Sequence, residues 1–326
     1  MMNLRRLRLK PGIRKLVREN WVRKEDLIVP LFIKEGLKGR NPIPSMPGIF
    51  QFGEEEVLKE VEELLKLELK SVILFGIPKL KDSVGSDALN PEGLIARSVR
   101  KLKREFGDEL VVVTDLCFCE YTDHGHCGVV NPYLKTVDNR ETLSISQRQA
   151  LIHGEAGADI IAPSGMMDGI VKALREVLDQ NGFDHIPIMS YSTKFSSAFY
   201  GPFRNAAESA PVQNQFLPKD RATYQMDIAN QREAILESLI DEEEGADILM
   251  VKPALAFLDV VTKIRERTLK PLAVYNVSGE YSMVKAAASA GFIDEKRVVL
   301  EILTSFKRAG ADIIITYHGK DVAPFL

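Results

Sequence analysis

The sequence predicts a single (β/α)8 barrel, and three observations carry that reading. Eight apolar runs of strand length alternate with helical patterns, those runs are almost wholly apolar, and polar residues collect just past their C-terminal ends. Strands buried on both faces read as continuous apolar runs, the mark of a parallel sheet covered by helices. Eight strands close such a sheet, and 326 residues suit it. A doubly wound open sheet is the alternative, but neither G-x-G-x-x-G nor G-x-x-x-x-G-K-[ST] occurs to support a nucleotide fold.

Residues 1–24 come before the first run. They are basic, broken at Pro11-Gly12, and carry the only tryptophan, Trp21. They read as an arm, solvated or packed on a neighbouring subunit, and residues 25–326 as the barrel. Strand one is Leu27 to Ile33, and the leucine-periodic, charged stretch Glu54 to Leu69 is a helix leading to strand two, Ser71 to Ile77. A helix over Gly93 to Phe106 precedes strand three, Leu110 to Asp115. Ser146 to Ala156 leads to strand four, Asp159 to Pro163, and Met167 to Gln180 leads to strand five, Ile186 to Tyr191. The helix from Tyr224 to Glu244 precedes strand six, Ile248 to Lys252. Phe257 to Thr268 precedes strand seven, Leu272 to Val277, and a helix ending near Arg308 precedes strand eight, Ile313 to Tyr317. Gly-Ala-Asp-Ile recurs at 157, 245 and 310, leading to Ser164, Lys252 and Tyr317.

Composition narrows the function. A formal net charge of −3 gives no reason to expect nucleic acid, and no apolar stretch approaches a membrane span. The N-terminal residues do not resemble a secretory signal, since Pro11-Gly12 lies where an apolar core belongs. The three cysteines all fall between positions 117 and 127, a poor disulfide framework and a good metal set, which points to a reducing, cytoplasmic compartment.

Chemistry in this fold sits at the C-terminal strand ends. The polar residues there are Asp115, Cys117, Ser164, Lys194, Lys252, Ser278 and Tyr317, which six strands would bring to one mouth. A lysine after an apolar run usually snorkels to solvent, as Lys34 and Lys79 would. Lys194 and Lys252 differ because they end adjacent strands. A neighbouring like charge and desolvation both lower an ammonium pKa, which makes a lysine nucleophilic near neutral pH, and its natural product with a ketone is a Schiff base. The spacing Cys117-x-Cys119-x7-Cys127 suits zinc, three thiolates leaving the open position of a catalytic site, with His124 and His126 as a fourth ligand or as outer partners and Asp115 as an orienting or proton-handling group. A second long connection, residues 194–223, reads as a lid whose Arg204 and Arg221 suit a carboxylate. Glu237 and Asp241 share a helix face and read, on spacing alone, as a solvated acidic surface.

Three stretches resemble one family. They are Asp115-Leu-Cys-Phe-Cys-Glu-Tyr-Thr-Asp-His-Gly-His-Cys127, Ser190-Tyr-Ser-Thr-Lys-Phe-Ser-Ser-Ala-Phe-Tyr-Gly-Pro-Phe-Arg204 and Met250-Val-Lys-Pro-Ala254, and the family is porphobilinogen synthase, also called 5-aminolevulinate dehydratase. The resemblance covers nearly the whole chain. It implies condensation of two 5-aminolevulinate molecules to porphobilinogen with loss of two waters, an early step of tetrapyrrole biosynthesis. It implies a Schiff base at Lys194 and at Lys252, proton transfer by Asp115, and zinc on Cys117, Cys119 and Cys127. Arg204, Arg221 and Gln225 would hold one substrate carboxylate and Ser278 with Tyr317 the other, with Ser164 and Tyr191 in the same substrate walls. Glu237 would serve a regulatory magnesium, with Asp168 and Asp241 as water-mediated partners; no nucleotide or organic cofactor is implied. The family further implies a homo-octamer embraced by the arm. Ala222 departs from the pattern, standing where many relatives carry a lysine. Two other readings remain open on the sequence: an aldolase-like barrel, which needs neither the second lysine nor the cysteines, and a catalytically silent zinc-binding barrel.

Overall fold

The computed structural model describes residues 2–326. Eight parallel strands form the barrel: β1 (Leu27–Lys34), β2 (Ser71–Ile77), β3 (Val111–Leu116), β4 (Ile160–Pro163), β5 (Met189–Lys194), β6 (Ile248–Lys252), β7 (Leu272–Asn276) and β8 (Ile313–Thr316). Their order around the sheet is β4-β3-β2-β1-β8-β7-β6-β5. A single parallel bridge, Ile161 to Ile188, joins the two ends, with Ile161 N donating to Pro187 O at 3.1 Å. The helices around it are α1 (Glu56–Lys66), α2 (Leu94–Phe106), α3 (Asn139–Ala156), α4 (Ile170–Gln180), α5 (Gln231–Glu243), α6 (Leu258–Arg265), α7 (Ser278–Ser289) and α8 (Glu295–Ala309). No described helix is long and apolar enough to cross a membrane.

Side chains alternate across each strand, so one set fills the barrel and the other packs on the helices. The interior set includes Phe32, Phe75, Val113, Ala162, Tyr191, Met250, Tyr275 and Ile315. The outer set, among it Val29, Leu74, Val112, Leu249 and Ile314, meets helix stripes such as Val57, Val61 and Leu64 of α1. This alternation aims the site: Asp115, Ser164, Lys252 and Tyr317 each lie two residues beyond an interior residue, and therefore face inward.

The recurring Gly-Ala-Asp builds the opposite end of the barrel. Gly157, Gly245 and Gly310 take left-handed φ values of 94°, 106° and 111° to end a helix, a conformation that disfavours other residues. The aspartate that follows starts an even-numbered strand and accepts the first amides of its odd-numbered neighbour: Asp159 from Val112 at 2.7 Å, Asp247 from Ile188 at 2.9 Å, Asp312 from Leu272 at 2.9 Å. Each repeat is thus a clasp between two strands, which the recurrence in the sequence did not by itself reveal.

Several boundaries differ from expectation. Strand five runs Met189–Lys194 rather than Ile186–Tyr191, because Asp247 pins Ile188 below it and the polar run Ser190 to Lys194 pairs with β6 despite its low hydropathy. Residues 224–230 are turns around a single bridge from Met226 to Phe195, and α5 begins only at Gln231. Helix α3 starts earlier than expected, at Asn139, because Asp138 caps it by accepting Glu141 N at 3.1 Å. Ser278 opens α7 instead of ending strand seven. A hairpin, Arg40–Pro42 with Phe50–Phe52, had no period long enough to be read; its second strand joins the upper half of β1 through Phe32 and Gln51.

Candidate active site

Lys194 and Lys252 are register partners on β5 and β6. Parity alone sends Lys194 the wrong way: Met189 and Tyr191 face the interior, whereas Ser190 faces α5 and donates to Asp241 at 2.6 Å. A bulge resolves this. Leu249 pairs with Ser190 but Val251 pairs with Thr193, so β5 carries an extra residue, Thr193 turns out to α5, and Lys194 turns in.

The Lys252 amine is surrounded by four rings, with its nitrogen 4.3 Å from the centre of Tyr275, 5.0 Å from Tyr191, 5.2 Å from Phe203 and 5.3 Å from Tyr200. They exclude water, and that burial, helped by the charge of Lys194, pulls the amine down to about 7. Lys194 donates to Ser164 O at 2.6 Å and lies 5.4 Å from the same Tyr191 ring, so one aromatic ring neighbours both amines. Ser164 in turn donates to Asp115 at 3.0 Å. Burial first, and the nearby Glu120 second, push Asp115 up to about 7, while both lysines oppose that rise. An amine and a carboxyl that titrate together can trade a proton near neutral pH.

The three cysteines are buried and unpaired, their sulfurs within 4.8 Å of one another and Cys117 3.5 Å from Cys119. Gln149 holds the Cys117 carbonyl at 3.2 Å. Three thiols converging in a polar loop fit a soft divalent cation better than they fit a hydrophobic core. Neither histidine joins this cluster. His124 faces Ser83 O at 3.2 Å and also accepts His126 N, and His126 faces the Tyr224 hydroxyl at 3.0 Å, so of the two roles expected for them, fourth ligand or outer partner, their contacts match the outer one. Sequence reasoning passed over Glu120. It is buried, its carboxyl is pushed up to about 8 by desolvation and then by Cys119, and it groups with Asp115 and Cys117. Its signal was an acid directly following Cys119 in the cysteine motif.

The long connection after β5, expected as a lid, packs on the cysteine loop. Arg221 donates to Gly125 O at 2.9 Å and Ser209 O at 2.8 Å, and Val212 N donates to His124 O at 3.0 Å. Beneath it, Arg204 Nε, Arg221 Nε and both amide atoms of Gln225 are buried without partners. A cavity of 440 Å³ lies beside Arg204, lined also by Lys81, Asp123 and Glu208. Ser278 accepts Phe203 N at 2.9 Å and so ties the lid helix Gly201–Ala206 to α7, while Tyr317 shares a 3.0 Å hydroxyl contact with Tyr275.

Glu237 and Asp241 do not form the solvated surface that their spacing suggested. Asp241 is buried behind β5 and pushed up to about 6 by desolvation; Glu237 rises to about 7 by desolvation and then by Asp241. Glu237 lines a polar cavity of 490 Å³ with Asp168, Asp227 and Glu233.

An eight-stranded (β/α)8 barrel with paired buried lysines, a buried carboxyl and three converging thiols at its mouth has the make-up of a barrel enzyme. The model of the family Delta-aminolevulinic acid dehydratase matches residues 1–325. The chain belongs to that family. Curated relatives of that name are 56% identical in Helicobacter pylori, over 99% of this chain and 98% of theirs, and 54% identical in Archaeoglobus fulgidus, over 99% and 97%. The crystal structure of the Toxoplasma gondii enzyme, delta-aminolevulinic acid dehydratase (porphobilinogen synthase) in complex with the reaction product porphobilinogen, superposes with a TM-score of 0.96 at 43% identity, covering all of this chain and 92% of that one.

Proposed function

We propose that the chain condenses two molecules of 5-aminolevulinate to porphobilinogen and two waters, as an early step of tetrapyrrole biosynthesis in the cytoplasm. The observation that carries this reading is the lysine pair: two amines in register, both close to the Tyr191 ring, with unpartnered guanidinium and amide atoms at the same end of the barrel. Joining two identical molecules in different roles needs two unlike subsites, and a lysine in each can hold its ketone as an imine.

Lys252, its amine pulled down by burial and by the charge of Lys194, attacks the ketone of one substrate; an imine forms and a water leaves. Lys194 does the same for the second. Two bound imines turn the joining of the molecules into an effectively intramolecular reaction. Asp115, poised near 7 and reached through Ser164, accepts and returns the protons these steps move. Arg204, Arg221 and Gln225 pair with one carboxylate, and Ser278 with Tyr317 binds the other, while Tyr191 and Ser164 wall the space between. The lid and the four rings around Lys252 exclude water, so the imines are not hydrolysed. Cys117, Cys119 and Cys127 would hold zinc, which supplies Lewis acidity to a carbonyl or acidifies a bound water.

Glu237 with Asp168 and Asp241 is proposed as a magnesium-responsive site, and residues 1–24, whose Leu4, Leu7, Leu9 and Leu16 are exposed, as the arm of a homo-octamer. Removing the arm is expected to shrink the particle in solution without unfolding the barrel; an unchanged mass would refute that role. The decisive experiment for the reaction is mass spectrometry with peptide mapping after incubation with 5-aminolevulinate and borohydride. Reduced adducts on Lys252 and Lys194 are expected. A folded, zinc-loaded protein that stays unmodified would overturn the reading.

A further inference from the structure

Glu280 is a buried carboxylate with no part in the steps above. It is 1% exposed and pairs with no cation among the described residues. Every partner it has is an N–H. One oxygen accepts Leu255 N at 2.8 Å; the other accepts Asn276 Nδ2 at 2.8 Å and Val277 N at 3.0 Å. Leu255 lies in the turn that leaves Lys252, and Val277 immediately precedes Ser278. The chain of bonds goes on: Asn276 Oδ1 accepts Thr316 Oγ1 at 3.0 Å, and Thr316 Oγ1 accepts His318 N at 3.2 Å, enclosing Tyr317 between them. Asn276, Thr316 and His318 are each no more than 1% exposed.

One carboxylate therefore ties together the ends of β6, β7 and β8. These are the strand ends that bear Lys252, Ser278 and Tyr317, the amine and the two hydroxyls of one proposed subsite. A helix-capping role accounts only for the bond to Val277 N. It does not account for the reach to Leu255, nor for the continuation through Asn276 to Thr316. A burial this complete, without a counter-ion, costs stability unless the carboxylate is held by donors, and three of them, from residues 255, 276 and 277, tie it in place.

We infer that the Glu280–Asn276–Thr316 relay fixes the span between the Lys252 amine and the Ser278/Tyr317 hydroxyls, and so selects 4-oxo acids over those with one carbon more between ketone and carboxylate. The inference rests on the proposed reaction, because it takes Lys252 as the imine-forming amine and the hydroxyls as the carboxylate anchor. Glu280, Asn276 and Thr316 are positioning residues that touch no reacting atom. A pocket of fixed length distinguishes one methylene by about ten- to two-hundredfold.

The test is borohydride trapping on Lys252, read by peptide mapping, with 4-oxopentanoate and 5-oxohexanoate as probes at equal concentration. In the unaltered protein the shorter acid is expected to label Lys252 at least about tenfold faster. In Glu280→Gln, whose amide cannot accept all three N–H groups, and in Thr316→Val, which cuts the last link with little change of shape, the ratio is expected to fall toward one. An unaltered protein labelled on Lys252 by neither acid overturns the lysine assignment, and this inference falls with it. Labelling that keeps its full length preference in the variants overturns the relay alone, as does a parallel loss of labelling with both acids. Thr316→Val decides the matter if Glu280→Gln does not fold.

Discussion

Lys194 and Lys252 face one barrel interior from adjacent strands, and they do so at the same level only because β5 carries one residue more than β6 between Ser190 and Lys194. The bulge makes the two amines neighbours, and the charge of one helps to depress the pKa of the other. Replacing Lys252 by methionine keeps the volume and removes the nucleophile. Turnover is expected to drop by on the order of a thousandfold or more, the scale set by losing a covalently held reactant. Circular dichroism should be unchanged, and the borohydride adduct on peptide 248–254 should vanish.

The pH dependence follows from the same amine. Below about 7 Lys252 is protonated and cannot attack, so the rate of imine formation is expected to rise through pH 7 and level off above it. Stability moves the same way. Between about 7 and the ordinary lysine range the unfolded chain holds this proton and the folded one does not, so unfolding takes up a proton and the contribution of Lys252 to stability grows as pH rises. Stopped-flow formation of the imine with 4-oxopentanoate from pH 6 to 9 checks the first part. A rate that falls across that range would contradict the neutral-amine mechanism.

Replacing Cys119 by alanine leaves two thiols where the site offers three. The protein is expected to lose at least one equivalent of bound zinc, measured by plasma emission on dialysed samples, and most of its turnover. The same loss should follow chelation of the unaltered protein and be reversed by adding zinc back.

Glu237 tests the acidic cavity through stability. Its carboxyl is raised to about 7, so between its ordinary range and about 7 the folded state holds a proton that the unfolded state has released, and stability falls as pH climbs through that window. Glu237→Gln has no such proton to lose. Its melting temperature is expected to change less between pH 5 and 8 than that of the unaltered chain, and any magnesium-induced rise at pH 8 should disappear.

Gly279 packs closely under residues 198–206: a Cβ there would lie 2.5 Å from Phe199 O and 2.8 Å from its Cα. Backbone cannot yield as a side-chain tip can. Gly279→Ala is expected to push residues 198–206 away from α7, raising KM while leaving both lysines reactive toward borohydride and a small ketone.

Much of this was legible in the chain. The eight apolar runs fixed the barrel because a parallel strand must be apolar on both faces, and Asp115, Ser164, Lys252 and Tyr317 could be aimed inward by counting in twos. Lys194 could not be, since a bulge is a relation between strands and leaves no period in either. Asp241 misled for a different reason. Helical spacing places it on a face, but only the packed sheet shows that the face lies against Ser190. Glu280 was invisible because its value lies in three donors drawn from residues 255, 276 and 277.

The closure of the barrel has a further meaning. Around most of the ring, strands are laced by several register pairs, but β4 and β5 meet through one bridge at Ile161 and Ile188, and higher up the only tie between them described here is Lys194 reaching across to Ser164 O. The seam of the cylinder therefore runs through the chemistry. In the proposed reaction, an imine at Lys194 would cost its nitrogen protons that hold the two edges together, and the substrate would become part of the wall. The Ile161 amide, bonded to Pro187 across that seam, should then report occupancy by its rate of deuterium uptake, a signal from the body of the barrel and not from its mouth.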